Sequence, residues 1–124
     1  MILEIDRDSV AAGDDVDSHI TTIQIDPDIS VKSLIKKAEK ACPLPSIYGG
    51  KATWIIFVGS NDERICVGVT AQQWRKNRLL VTDTITAGEI FNGIAKKLKF
   101  HYWLQNSPNH VFEILKKGEM PDKY

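Results

Sequence analysis

The sequence predicts an α+β fold: a mainly antiparallel β-sheet of four to six strands packed with two or three α-helices. Three observations predict it. Short β-branched runs at 2–5 and 19–25 alternate in strand fashion. Two apolar runs, ATWIIFV and ERICVGVTA, flank the turn sequence GSND and read as a β-hairpin of buried strands. Segments following residues 30 and 107 place apolar residues at helical spacing behind capping signals. Strands and helices mix in one chain of 124 residues, which fits a single domain spanning 1–124 at the usual size of about 100–200 residues.

The elements follow in order. ILEI (2–5) and HITTIQI (19–25) are predicted strands that pair as a hairpin. Residues 6–18 between them have neither strand nor helix period, a long loop for a compact domain. DPDISVKSLIKKAEKAC predicts a helix capped by Asp28 or Ser30. Val31, Leu34, Ile35, Ala38 and Ala41 point inward, with Lys32, Lys36, Lys37 and Lys40 on the other face. CPLPSIYGG stops it with two prolines and two glycines. After the central hairpin, QQWRKNR (72–78) is a polar connector and LLVT a short strand. TAGEIFNGIAKKL opens with Thr86 and Glu89 in capping-box spacing and predicts a helix with Ile90, Phe91, Ile94, Ala95 and Leu98 on one face. Residues 98–105 fit both periods, and the alternation of Leu98, Phe100, Tyr102 and Leu104 favours a strand. Ser107 and Pro108 start a last helix that Gly118 ends, and the tail EMPDKY reads as loose.

The net charge is zero, but its distribution is uneven. Residues 1–30 hold eight carboxylates (Glu4, Asp6, Asp8, Asp14, Asp15, Asp17, Asp26 and Asp28) against Arg7 alone, a balance of −7. Residues 31–124 hold 15 bases and 8 acids, a balance of +7. Such asymmetry implies either an electrostatic interaction surface or mutual neutralisation within the fold. The N-terminus lacks a basic and apolar leader, and the longest apolar run, WIIFV at 54–58, is far short of the roughly 20 residues of a membrane span. Cys42 and Cys66 lack metal or redox spacing. The expectation is a cytoplasmic protein without membrane association, disulfide framework or cofactor.

No nucleophile, metal-protease, P-loop or dinucleotide motif occurs, and His19, His101 and His110 are scattered. The chain is therefore expected not to be an enzyme. A carboxylate metal site is the remaining catalytic option. Matched to a calcium-loop pattern, Asp6 and Asp8 fill positions 1 and 3. Ala11 then falls where glycine is needed and Asp17 where glutamate is needed, so no metal is assigned.

Two binding readings remain. In the first, the carboxylates of DRDSVAAGDDVDSH (6–19) present Asp14, Asp15 and Asp17, with Asp6 and Asp8 next, to a basic protein partner. Val10, Ala11, Ala12 and Val16 can add apolar contact. Asp6 and Asp8 can instead stiffen the loop by accepting backbone N–H groups. Trp74 is a candidate aromatic anchor for the partner, or else a core residue. In the alternative, the chain is a small RNA- or DNA-binding module. It would use the mixed basic and aromatic stretches 74–78 (Trp74, Arg75, Lys76, Arg78) and 96–103 (Lys96, Lys97, Lys99, Phe100, His101, Tyr102, Trp103).

The string DRDSVAAGDDVDSH, followed by LPSIYGGKATWIIF (44–57) and AQQW (71–74), resembles small bacterial immunity proteins encoded beside polymorphic toxins, as in contact-dependent growth inhibition. The resemblance covers most of residues 1–74. It implies an antitoxin that binds and neutralises one cognate toxin C-terminal domain, a nuclease in many such systems, with no direct contact to nucleic acid of its own.

Overall fold

The computed structural model describes residues 1–10 and 19–124. Its elements are β1 (Ile2–Arg7), β2 (Thr21–Gln24), α1 (Val31–Ala41), β3 (Thr53–Val58), a 3-10 turn (Asn61–Glu63), β4 (Ile65–Ala71), β5 (Arg78–Leu79), α2 (Ala87–Ile90), β6 (Lys97–Tyr102) and α3 (Pro108–Lys116). The strands form one six-stranded sheet in the order β2-β1-β6-β3-β4-β5. Four of its five pairings are antiparallel, and β1 with β6 is parallel. The α+β fold with a mainly antiparallel sheet is as the sequence predicts.

Burial follows the side-chain alternation of the strands. Leu3 and Ile5 of β1, Leu98 and Phe100 of β6, and Trp54, Ile56 and Val58 of β3 form one core face, covered by Val31, Leu34, Ile35 and Ala38 of α1 and by Ala87 and Ile90 of α2. On the other face Ile55, Phe57 and Val69 pack against Val111 and Phe112 of α3. All six residues of β3 are buried because helices lie on both sides of it. Over β1 and β6 the second face carries Glu4, Asp6, Lys97, Lys99 and His101 in place of apolar residues.

The helix caps match the sequence signals. The Ser30 side chain accepts from the Ser33 N–H, Thr86 and Glu89 form the capping box, and Ser107 accepts from the His110 N–H ahead of Pro108. Several boundaries differ: β2 is Thr21–Gln24 within the expected 19–25, and β5 is Arg78–Leu79 where LLVT (79–82) is expected. β1 continues to Arg7, because Asp6 and Arg7 pair with Lys99 and Phe100 of β6, so Asp6 lies in a strand and not in the loop. The helix expected across 86–98 is the single turn Ala87–Ile90. Gly93 takes φ +79, beyond which residues 97–102 join the sheet, where ladder hydrogen bonds and burial of Leu98 and Phe100 outweigh helical spacing. The tail is held as well: Asn106 Nδ2 donates to the Lys123 carbonyl at 2.9 Å, and Pro121 is buried.

Gly68 marks a close approach. A Cβ there would lie 2.7 Å from the Arg78 carbonyl oxygen, so the residue lets β5 lie tightly along β4. That sets the position of the 72–78 connection over the flank of α1.

Candidate functional site

The parallel register of β1 and β6 places acids opposite bases: Glu4 against Lys97 and Asp6 against Lys99. The side chains complete the pairs. Lys97 Nζ lies 3.6 Å from Glu4, and Lys99 Nζ lies 3.8 Å from Asp6 and 3.4 Å from Asp8. Asp8 is the junction of the ladder. Its Oδ2 accepts the Tyr102 N–H at 3.0 Å and lies 3.2 Å from His101 Nδ1. Burial opposes ionisation of this carboxyl. Its hydrogen bond and attraction to His101, the Tyr102 N–H and the Lys99 charge together outweigh that, and its pKa is lowered to about 2. Asp6 also accepts the Arg7 N–H at 2.8 Å.

Alongside this ladder runs a cleft of about 340 Å³, closed by the turn Gly59–Asn61 and by Arg64. The Arg64 guanidinium sits 4.2 Å from the Phe57 ring centroid, and His101 meets the same ring edge-on at 5.0 Å. Glu4, Asp6, Lys97 and Lys99 in its lining are paired with one another, and Arg64 is the lining cation with no acid partner among the described residues.

The second charged region lies on the opposite core face. Here the 72–78 connection runs beside α1 and is tied to it by a hydrogen bond from Asn77 Nδ2 to Glu39 Oε1, 2.9 Å. Gln72 Oε1 accepts the N–H groups of Ile47 and Ala52, which anchors the loop of Pro43, Leu44, Pro45 and Ser46 as a further wall. Two clefts result. One, about 350 Å³, is lined by Trp74, Leu44 and the two prolines. The other, about 390 Å³, is lined by Lys32, Lys36, Arg75 and Lys76 above Ile35 and Leu79. Glu39, Arg75 and Asn77 line both, so they are two lobes of one groove.

The structure treats the sequence-predicted residues differently. Asp6 and Asp8 pair with Lys99 of β6, Asp8 also with His101 and the Tyr102 N–H, and Asp6 accepts the neighbouring Arg7 N–H. Asp14, Asp15 and Asp17 lie outside the described residues. Trp74 is half-buried: it packs beside the Phe57 and Phe112 cluster and also lines the groove. Of the 74–78 stretch, only Trp74, Arg75, Lys76 and Asn77 line the groove. Arg78 turns toward α3, where it stacks 3.9 Å from the Phe112 centroid and pairs with Glu113 at 3.8 Å. In the 96–103 stretch, Phe100 is fully buried and Tyr102 leans on Trp54 at 5.0 Å, while Lys97 and Lys99 are paired. The contributions of Lys32 and Lys36 to the groove escaped the sequence reading. Their spacing of four marked one helix face but not what lies across from it.

Chemistry of the nucleophilic kind has little to draw on among the described residues. Burial pushes the Cys66 thiol up to about 11 and also raises that of Cys42, so neither is a thiolate near neutral pH. Among the described residues no group of three His, Cys, Asp or Glu is placed to hold a metal ion, and no helix is long and apolar enough to cross a membrane. Comparison with protein-family models, curated proteins and solved structures finds no match to this chain.

The strand directions have one further consequence. β4 is antiparallel to β3, which is antiparallel to β6, which is parallel to β1. The C-terminal ends of β1, β6 and β4 therefore share one end of the sheet. Asp8, the root of the acidic connection, and Trp74, just past β4, stand at that end. β1 and β4 are separated by three strand spacings, about 15 Å.

Proposed function

We propose that this chain is a non-catalytic binding protein of the immunity type. It docks the acidic β1–β2 connection on a basic bacterial toxin domain, most plainly a nuclease, and keeps substrate away from it. The observation that carries this reading is the division of negative charge. Glu4, Asp6 and Asp8 are balanced by Lys97, Lys99 and His101. The other carboxylates of residues 1–30 are Asp14, Asp15 and Asp17, together with Asp26 and Asp28 near the start of α1. Several carboxylates on a connection rooted in a stable sheet suit a partner built to receive phosphates.

The shared end of the sheet supports the same reading. A patch reaching from Asp8, where the connection begins, to Trp74 spans three strand spacings, about 15 Å, a fair fraction of the width of a standard interface of about 800 Å² per partner. In this arrangement Asp14, Asp15 and Asp17 contact the partner, Asp8 and Asp6 hold the connection's root, and Trp74 borders the contact. No cofactor is required.

The test is affinity for the toxin domain encoded beside this chain, measured by calorimetry at two salt concentrations. Replacing Asp14, Asp15 and Asp17 together by asparagine is expected to weaken binding by at least roughly tenfold and to flatten its salt dependence. Unchanged affinity in that variant would overturn the docking role of the connection.

A further inference from the structure

The groove between α1 and the 72–78 connection has a chemistry that the docking reading does not use. Lys32, Lys36, Arg75 and Lys76 have no hydrogen-bond or ion-pair partner among the described residues. Four cations stand there against two carboxylates, Glu39 and Asp83, and Glu39 already accepts from Asn77. Three basic side chains elsewhere are paired with acids, Lys97 and Lys99 with β1 and Arg78 with Glu113. The groove gathers around one space four that are not.

Its two lobes differ in kind. The cationic lobe has an apolar floor of Ile35 and Leu79, and the adjoining lobe offers the Trp74 ring beside Leu44, Pro43 and Pro45. Arg75 lines both. A planar ring next to exposed, unpaired cations is the combination that receives an aromatic base with its phosphate: the base finds a π-surface, and the phosphate finds several donors with no partner to give up. The lobes together fall within the volume range of small-ligand sites, about 300–1,000 Å³. A purely acidic ligand would use the cations but not the tryptophan lobe.

We propose that this groove binds a base–phosphate unit of single-stranded nucleic acid, with the base against Trp74 and the phosphate held by Lys32, Lys36, Arg75 and Lys76. The proposal shares Trp74 with the docking reading but involves none of Asp14, Asp15 and Asp17 and needs no toxin, so the asparagine variants at those three positions leave it untouched.

The experiment is fluorescence anisotropy of the whole chain with a labelled single-stranded oligoribonucleotide of about ten residues at low salt. Uridine monophosphate and an oligo-glutamate of matched charge serve as competitors. Binding is expected, and its affinity should fall as salt rises. The exposed pair Lys36→Gln and Arg75→Gln is expected to weaken it by roughly tenfold or more. Trp74→Phe, which keeps a ring and fills most of the same space, should retain most of the affinity, while Trp74→Leu should lose roughly tenfold. Circular dichroism of each variant separates lost binding from lost folding. If the oligonucleotide binds more tightly than the mononucleotide, the groove serves a strand. If the two bind equally, it serves a free nucleotide, and base–phosphate recognition stands in either case. No anisotropy change at low salt would overturn the proposal. So would equal competition by oligo-glutamate, or binding indifferent to the Lys36 and Arg75 changes.

Discussion

Two stretches of similar composition, 74–78 and 96–103, meet different fates in this fold. Both interleave basic and aromatic residues. In 96–103 the aromatic Phe100 is consumed by the core, and Lys97 and Lys99 by the acids of β1. In 74–78 the arginines are divided: Arg78 packs on Phe112, while Arg75 and Lys76 join two lysines of α1 around open space. Basic sequence is therefore not the same as basic surface. A strand in the middle of a sheet presents every second side chain to a neighbour at about 5 Å, and the neighbour's charge decides what remains. A connection past the end of a strand has no such neighbour imposed on it.

The comparison is most exposed to failure at Asp8, which joins β1 to three partners on β6. Asp8→Ala strands the Tyr102 N–H and removes the counter-charge of Lys99 and His101. It is expected to cost about 2 kcal/mol in urea denaturation. A cost below about 0.5 kcal/mol would mean that the ladder is incidental to the fold.

Acid should reproduce most of that loss. The Asp8 carboxyl has a pKa lowered from 3.8 to about 2, so the folded state favours its ionised form. Its contribution is complete above about pH 4 and disappears as the pH falls through about 2, where both folded and unfolded chains hold the proton. The stability of the parent chain should accordingly fall more steeply than that of Asp8→Ala between pH 4 and pH 2, by up to about 2 kcal/mol. Parallel curves for the two would show that other carboxylates govern acid unfolding.

Smaller effects sharpen the contrast. Glu4→Gln and Asp6→Asn break partly exposed ion pairs and should each cost under about 1 kcal/mol. Together they release Lys97 and leave Lys99 with Asp8 alone, so the double variant should be retained longer on a cation-exchange resin than a charge-matched variant at Glu119 and Asp122. Equal retention would mean that the ladder does not mask those lysines. The smallest effect belongs to the groove. Lys36→Gln and Arg75→Gln remove no partner among the described residues and should change stability by no more than about 0.5 kcal/mol. A larger loss would show that these side chains support the fold and are not held in reserve for a ligand.

Much of this was legible along the chain because it is local. Ser30, Thr86 with Glu89, and Ser107 with Pro108 announce helix starts through hydrogen bonds that span three residues. The central hairpin follows from two apolar runs on either side of the short segment GSND, and the burial of Leu3 and Ile5 follows from the alternation of β1. The segment after residue 90 was harder. Leu98 satisfies both a helix and a strand, and only the sheet's pairing with β1 on one side and β3 on the other resolved it.

The sequence by itself determined the α+β class, the order of elements, the caps and the concentration of acids in residues 1–30, since each depends on neighbours within a few residues or on composition. The tertiary structure alone decided that β1 lies parallel to β6, more than 90 residues away in the chain, and thereby which acids are spent within the fold. It also decided that Trp74 stands at the same end of the sheet as Asp8, and that Arg75 and Lys76 face Lys32 and Lys36. Local hydrogen bonds and periodicity carry no information about such meetings, which arise when the sheet buries its apolar face and brings distant charges within reach of one another.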